Sequence, residues 1–112
     1  MATTLNEIAA QSKVSIEIDE QAVPIHPAVA SACEFLGLDP LYIANEGKLI
    51  VIVEEDVAQE ALSIIRSCKY GENAAVIGRV SSEQPGFVSM KTAIGGKRLV
   101  DWLNSDPLPR IC

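Results

Sequence analysis

Few residues in this 112-residue chain could bond covalently to a substrate: the thiols of Cys33, Cys68 and Cys112, with one histidine, His26, beside them. Cys112 is the final residue, closing the stretch Asp-Pro-Leu-Pro-Arg-Ile-Cys. Prolines hold such an arm extended at low entropic cost, and the steps from Asp106 to Cys112 span on the order of 20 Å. An arm of that reach would carry a thiol between two places, with the thiolate as nucleophile. The plain alternative is that many chains end in a few loose residues. A second candidate is Glu46, in Ala-Asn-Glu-Gly-Lys. Gly47 supplies the positive φ of a tight turn, which accounts for the motif by itself. Read functionally, Glu46 sits half-buried at a strand mouth and acts as a general base.

The remaining candidates carry less. Cys33 and Cys68 fall at apolar positions of helical patterns, where cysteine behaves as a small hydrophobe. No Cys-x-x-Cys pair occurs, and a lone histidine offers no metal-ligand spacing. An odd number of cysteines points to free thiols. His26 precedes a helix and reads as a cap or surface residue. The paired glycines Gly95 and Gly96 lack the spacings that cradle phosphate, and read as a bend between short strands.

The elements that must position these residues follow from periodicity. "ATTLNEIAAQS" is a short amphipathic helix capped by Thr3 or Thr4, with Leu5, Ile8 and Ala9 on one face. "VSIEID" alternates as a strand buried on one face. "HPAVASACEFLGL" is a helix with Pro27 in its first turn, Val29, Ala32, Cys33 and Leu36 on the apolar face, and Gly37 as its stop. "KLIVIVEE" reads as a central strand covered on both faces. A helix follows, with Val57, Ala61, Ile64, Ile65 and Cys68 inward. "AAVIGRV", "GFVSMKTAI" and "GGKRLVDWL" complete the chain as two strands and a short closing element. The order α-β-α-β-α-β-β predicts an α+β fold, a mixed sheet with helices packed on it. One domain is expected over residues 1–105, with a flexible extended tail over 106–112.

Composition excludes several function classes. A formal charge of −6 repels a phosphate backbone, so nucleic acid is not an expected partner. No apolar run approaches the roughly 20 residues of a membrane span, and no basic-then-apolar leader opens the chain, so a cytoplasmic location is expected. Aromatic residues make up 4%, so the core must be aliphatic.

The stretches "CEFLGLDPLYIANEGKLIVIV" and "TAIGGKRLVDWL", and above all the terminal "LPRIC", resemble the C-terminal domain of the HypE family, the carbamoyl dehydratases of NiFe-hydrogenase maturation. The opening "ATTLNEIAAQSKVSIEIDEQAVPI" is similar to the segment that follows the ATP-binding half of those proteins. The resemblance therefore covers essentially the whole chain. It implies a parent of the aminoimidazole ribonucleotide synthetase type. There an N-terminal domain forms a homodimer and holds ATP and magnesium, while a C-terminal α/β domain folds over it.

The resemblance also implies a chemistry. A carbamoyltransferase, HypF, places a carbamoyl group on the terminal thiol, here Cys112. The tail enters the ATP site, the amide oxygen is phosphorylated, and loss of phosphate leaves a thiocyanate. Cyanide then passes to iron on the scaffold proteins HypC and HypD. The glutamate of Asn-Glu-Gly, here Glu46, takes the part of a catalytic carboxylate. Its lysine and histidine companions belong to the N-terminal half, so His26 is not cast in that role. The isolated chain is expected neither to bind ATP nor to dehydrate anything alone. Two rival readings stand beside this: a non-catalytic module docking on maturation partners, and a related synthetase-superfamily domain whose terminal cysteine is coincidental.

Overall fold

The computed structural model describes residues 1–102, and the expected tail over 106–112, with Cys112, lies outside the described residues. Helix α1 spans Ala2–Ser12. It buries Ala2, Leu5, Asn6 and Ala9, the i, i+3, i+4, i+7 stripe of an amphipathic helix. It starts ahead of Thr3 and Thr4, with Met1 at the N-cap and Lys13 ending it in a left-handed conformation. Strand β1, Ser15–Asp19, follows at once, with Ile16 and Ile18 buried and Glu17 exposed. Helix α2, Pro27–Leu36, is capped by His26, whose Nδ1 accepts the Ala28 N–H at 3.2 Å, and it stops at Gly37 with φ 66°. Pro27 costs nothing there, because a first-turn N–H has no helical partner to lose. Helix α3 spans Ala58–Ser67, and strands β2, β3 and β4 span Gly78–Ser81, Val88–Lys91 and Lys97–Leu99.

The sheet runs β2-β1-β3-β4. β1 pairs parallel with β3 and antiparallel with β2, and β4 pairs antiparallel with β3, so the sheet is mixed as expected. The Thr92–Gly96 bend joins β3 to β4 through two backbone hydrogen bonds, with Gly95 at φ 86°. Helix α1 lies on β1 and β3, and the core there is aliphatic: Leu5, Ile16, Ile18, Leu41, Val88, Met90 and Val100. Full burial of a residue such as Ile18 contributes about 2 kcal/mol. Gly78 is required where β2 meets β1, because a Cβ on it would lie 2.2 Å from the Glu17 carbonyl oxygen.

The middle of the chain departs from the expectation. Residues 48–54 form no ladder with the sheet; they run straight, without turn or bend, and Leu49 is 92% exposed. Val51, Ile52 and Val53 are exposed as well, and only Ile50 packs against the core. An apolar run states that surface should be covered; it does not say that this domain supplies the cover. The same holds for α3, where Val57, Ile64 and Cys68 are exposed and Ala61 and Ile65 half-buried. On α2 only Cys33 of the predicted apolar face is buried, while Val29, Ala32 and Leu36 face solvent. "AAVIGRV" enters the sheet only from Gly78 onward.

Candidate functional site

The buried end of α1 organises the corner from which both candidate residues depart. Leu41 is buried, and its carbonyl accepts from the Met1 amine at 3.1 Å and the Ala2 N–H at 3.0 Å. The Asp39 carboxylate accepts the Leu41 N–H at 2.9 Å and pairs with Arg98 of β4 at 2.5 Å. The turn at residues 39–42 is thus held from both sides, by α1 and by the sheet. Glu46 follows four positions after Tyr42, its side chain exposed, next to Gly47 at φ 73°. That φ bears out the turn chemistry, whereas the half-buried setting expected for a general base is not present in this chain.

The segment leading toward Cys112 leaves from the same corner. Val100 is buried, and its N–H donates to the Val88 carbonyl at 2.8 Å. Its carbonyl accepts from Asn6 Nδ2, also at 2.8 Å, and that amide donates a second bond to Ala2 O at 3.0 Å. One residue later the Tyr42 hydroxyl donates to the Asp101 carbonyl at 3.0 Å. Tyr42 therefore ties the turn that precedes Glu46 to the root of the C-terminal segment. Neither Asn6 nor Tyr42 stands out by motif or spacing as a residue of this corner. The signal at Asn6 is one of residue type, a polar residue on an otherwise apolar stripe; Tyr42 has none, since a tyrosine in a turn has many uses.

Other candidates are placed less productively. Cys33 is buried, as expected of a packing residue, and Cys68 is exposed, its Sγ near the Ile64 carbonyl. His26 serves as the α2 cap. A cleft of about 120 Å³ opens between Glu20, Val23, Asp39, Leu41, Met90 and Arg98. It does not include Glu46, and it is smaller than the roughly 300–1,000 Å³ of a typical small-molecule site. Among the described residues no cluster of three or more His, Cys, Asp or Glu side chains is placed to hold a metal ion. At that volume the cleft between Glu20, Asp39 and Arg98 is too small to hold a nucleotide. Among the described residues no helix is long and apolar enough to cross a membrane.

Comparison with known proteins places this geometry. The family model for the AIR synthase related protein, C-terminal domain, matches residues 1–91. A carbamoyl dehydratase HypE from Rhizobium leguminosarum bv. viciae is 54% identical over 112 residues, all of this chain and 32% of the relative. A crystal structure of the hydrogenase maturation protein HypE in complex with ATP superposes with a TM-score of 0.87 at 50% identity, over 95% of this chain and 33% of that one. A HypE–HypF complex superposes at 0.83 with 45% identity, over 89% of this chain and 32% of that one. The chain spans about a third of the length of the curated relatives it matches.

Proposed function

From the premise that this chain belongs to the AIR synthase related protein C-terminal domain family, we propose that it is the thiol-bearing portion of a carbamoyl dehydratase of hydrogenase maturation. One observation carries the reading: the match runs through all 112 residues, and the last of them is Cys112. The fold is aminoimidazole ribonucleotide synthetase-like, and the chain is homologous to HypE.

In that chemistry the Cys112 thiolate attacks a carbamoyl donor delivered by a HypF-type carbamoyltransferase, forming an S–C bond and releasing the donor's leaving group. ATP is the second substrate. Its γ-phosphoryl group passes to the amide oxygen, turning a poor leaving group into a good one. A base then removes the nitrogen protons as the C–O bond to phosphate breaks, leaving Cys112 as a thiocyanate. Glu46 is the carboxylate proposed for that base. Its exposure here is consistent with a residue that meets its substrate only when another domain closes over it. ATP and magnesium belong to the remainder of the parent; the S–C bond of the thiocyanate then breaks as the cyano group passes to iron on HypC and HypD, with two electrons from the iron side leaving cyanide on the metal and a free thiolate on Cys112. Docking of a HypF-type protein draws support from the HypE–HypF complex among the structural neighbours.

Joining the chain to the rest of a HypE parent and supplying carbamoyltransferase, carbamoyl phosphate and ATP tests this directly. Mass spectrometry is expected to find the added group on Cys112, and Cys112→Ala to abolish acceptance. Glu46→Gln should leave acceptance intact and slow dehydration by roughly 10²-fold or more, as expected on losing a general base. A group found on another residue would overturn the Cys112 assignment; undiminished dehydration by Glu46→Gln would reduce Glu46 to a turn residue. For the 112-residue chain alone, calorimetry is expected to show no saturable ATP binding.

A further inference from the structure

The sequence Lys48-Leu49-Ile50-Val51-Ile52-Val53-Glu54 is self-complementary when laid antiparallel on itself. Centred on Val51, Lys48 faces Glu54, Leu49 faces Val53, Ile50 faces Ile52, and Val51 faces itself. The structure leaves this run open. Residues 48–54 are straight, and among the described residues their backbone N–H and C=O groups make no backbone hydrogen bond to another segment except at the very end, where the Glu54 carbonyl accepts the Val57 N–H at 3.3 Å. Glu54 continues the extended path at φ −64°, ψ 150°, and its side chain caps nothing. Gly47, at φ 73°, turns the chain at the other end. A straight apolar run with an unpaired backbone is a template for another strand.

We propose that residues 48–54 pair with the same residues of a second copy of this chain, antiparallel, about a two-fold axis through Val51. Register selects this arrangement over its neighbours. Shifting it so that Lys48 faces Val53 or Ile52 leaves the lysine opposite an aliphatic residue, and the second of these sets Glu54 against Glu46. Shifting the other way puts Leu49 opposite Glu54. A parallel pairing brings like charges together at both ends, which cross-strand pairs disfavour. Only the register centred on Val51 matches every apolar residue with an apolar one and each charge with its opposite, twice over by symmetry. Such an isologous interface is self-complementary and closes on itself after two copies. The pairing does not rest on the carbamoyl chemistry, and it lies apart from the dimer that the family resemblance implies for the N-terminal domain.

Sedimentation of the 112-residue chain and its charge variants tests the register. The chain is expected to form a concentration-dependent dimer below about 100 µM. Lys48→Glu sets two carboxylates against each other at both ends of the paired strands, and Glu54→Lys sets two ammonium groups there; each is expected to weaken the dimer roughly tenfold or more. Both sites are exposed, so circular dichroism should show either variant folded like the parent chain. Mixing the two single variants, or combining both changes in one chain, restores opposite charges at every pair and is expected to restore the dimer. A chain that stays monomeric, a dimer indifferent to the single changes, or a mixture that fails to recover would each overturn the proposal. The first of these outcomes would leave the run to be covered by another part of a longer parent.

Discussion

Asn6 shows how much one side-chain amide can decide. It is 4% exposed and donates both of its amide hydrogens to backbone carbonyls, one in its own helix and one at Val100, 94 residues away. Asn6→Ala would leave the buried Val100 carbonyl without that donor, at a cost of about 1–3 kcal/mol, readable as a lower urea midpoint. The periodicity of α1 was legible because its apolar face is buried by its own domain. That one polar member of the stripe joins the two ends of the chain was not, because spacing shows a face and says nothing about the partner. Met1 gives a second expectation at this scale. Burial lowers the pKa of its ammonium from the usual 8.0, so the folded state disfavours the cation. The corresponding stability is present above pH 8.0 and lost as pH falls through the folded value. A urea midpoint that rises as pH approaches 8.0 in the free chain, and stays flat in an N-acetylated one, would show this sign.

At the scale of elements, β1 is the hinge of the sheet, paired on both sides. Its alternation was readable, since Ile16 and Ile18 face a core and Glu17 faces water. The β2 neighbour depends on Gly78: an added methyl would sit 2.2 Å from Glu17 O and 2.8 Å from Ile18 Cα, both fixed backbone atoms of β1. Gly78→Ala is expected to cost about 2 kcal/mol or more, and hydrogen exchange should speed up first along the β1–β2 ladder. The run at 48–54 lies outside the sheet for a physical reason that its composition does not reveal. A continuous aliphatic stretch is compatible with any arrangement that removes it from water, whether inside its own sheet or against another surface. Leu49, 92% exposed, shows that the described residues of this chain do not supply that burial. The turn at Glu46 and Gly47 was legible from glycine's freedom at positive φ; the exposure of Glu46 was not, because a strand mouth is buried only if the strand is.

For the molecule as a whole, the apolar surface divides in two. α1 closes one side of the sheet, while α3 and residues 48–54 present aliphatic side chains outward on the described body. A charge of −6 keeps such a surface dispersed only in part, so its fate depends on what meets it. The anchorage of Val100 and Asp101 has a separate consequence. Asn6, Val88 and Tyr42 hold those two residues to the body, so connectivity alone confines Cys112 to within roughly 40 Å of that corner, whatever path the intervening residues take. A thiol leashed in this way meets any receiving site inside that radius at an effective concentration near the millimolar range. Capture of that thiol by such a site would then need little affinity of its own, and lengthening or shortening the leash would tune the encounter without touching the thiol.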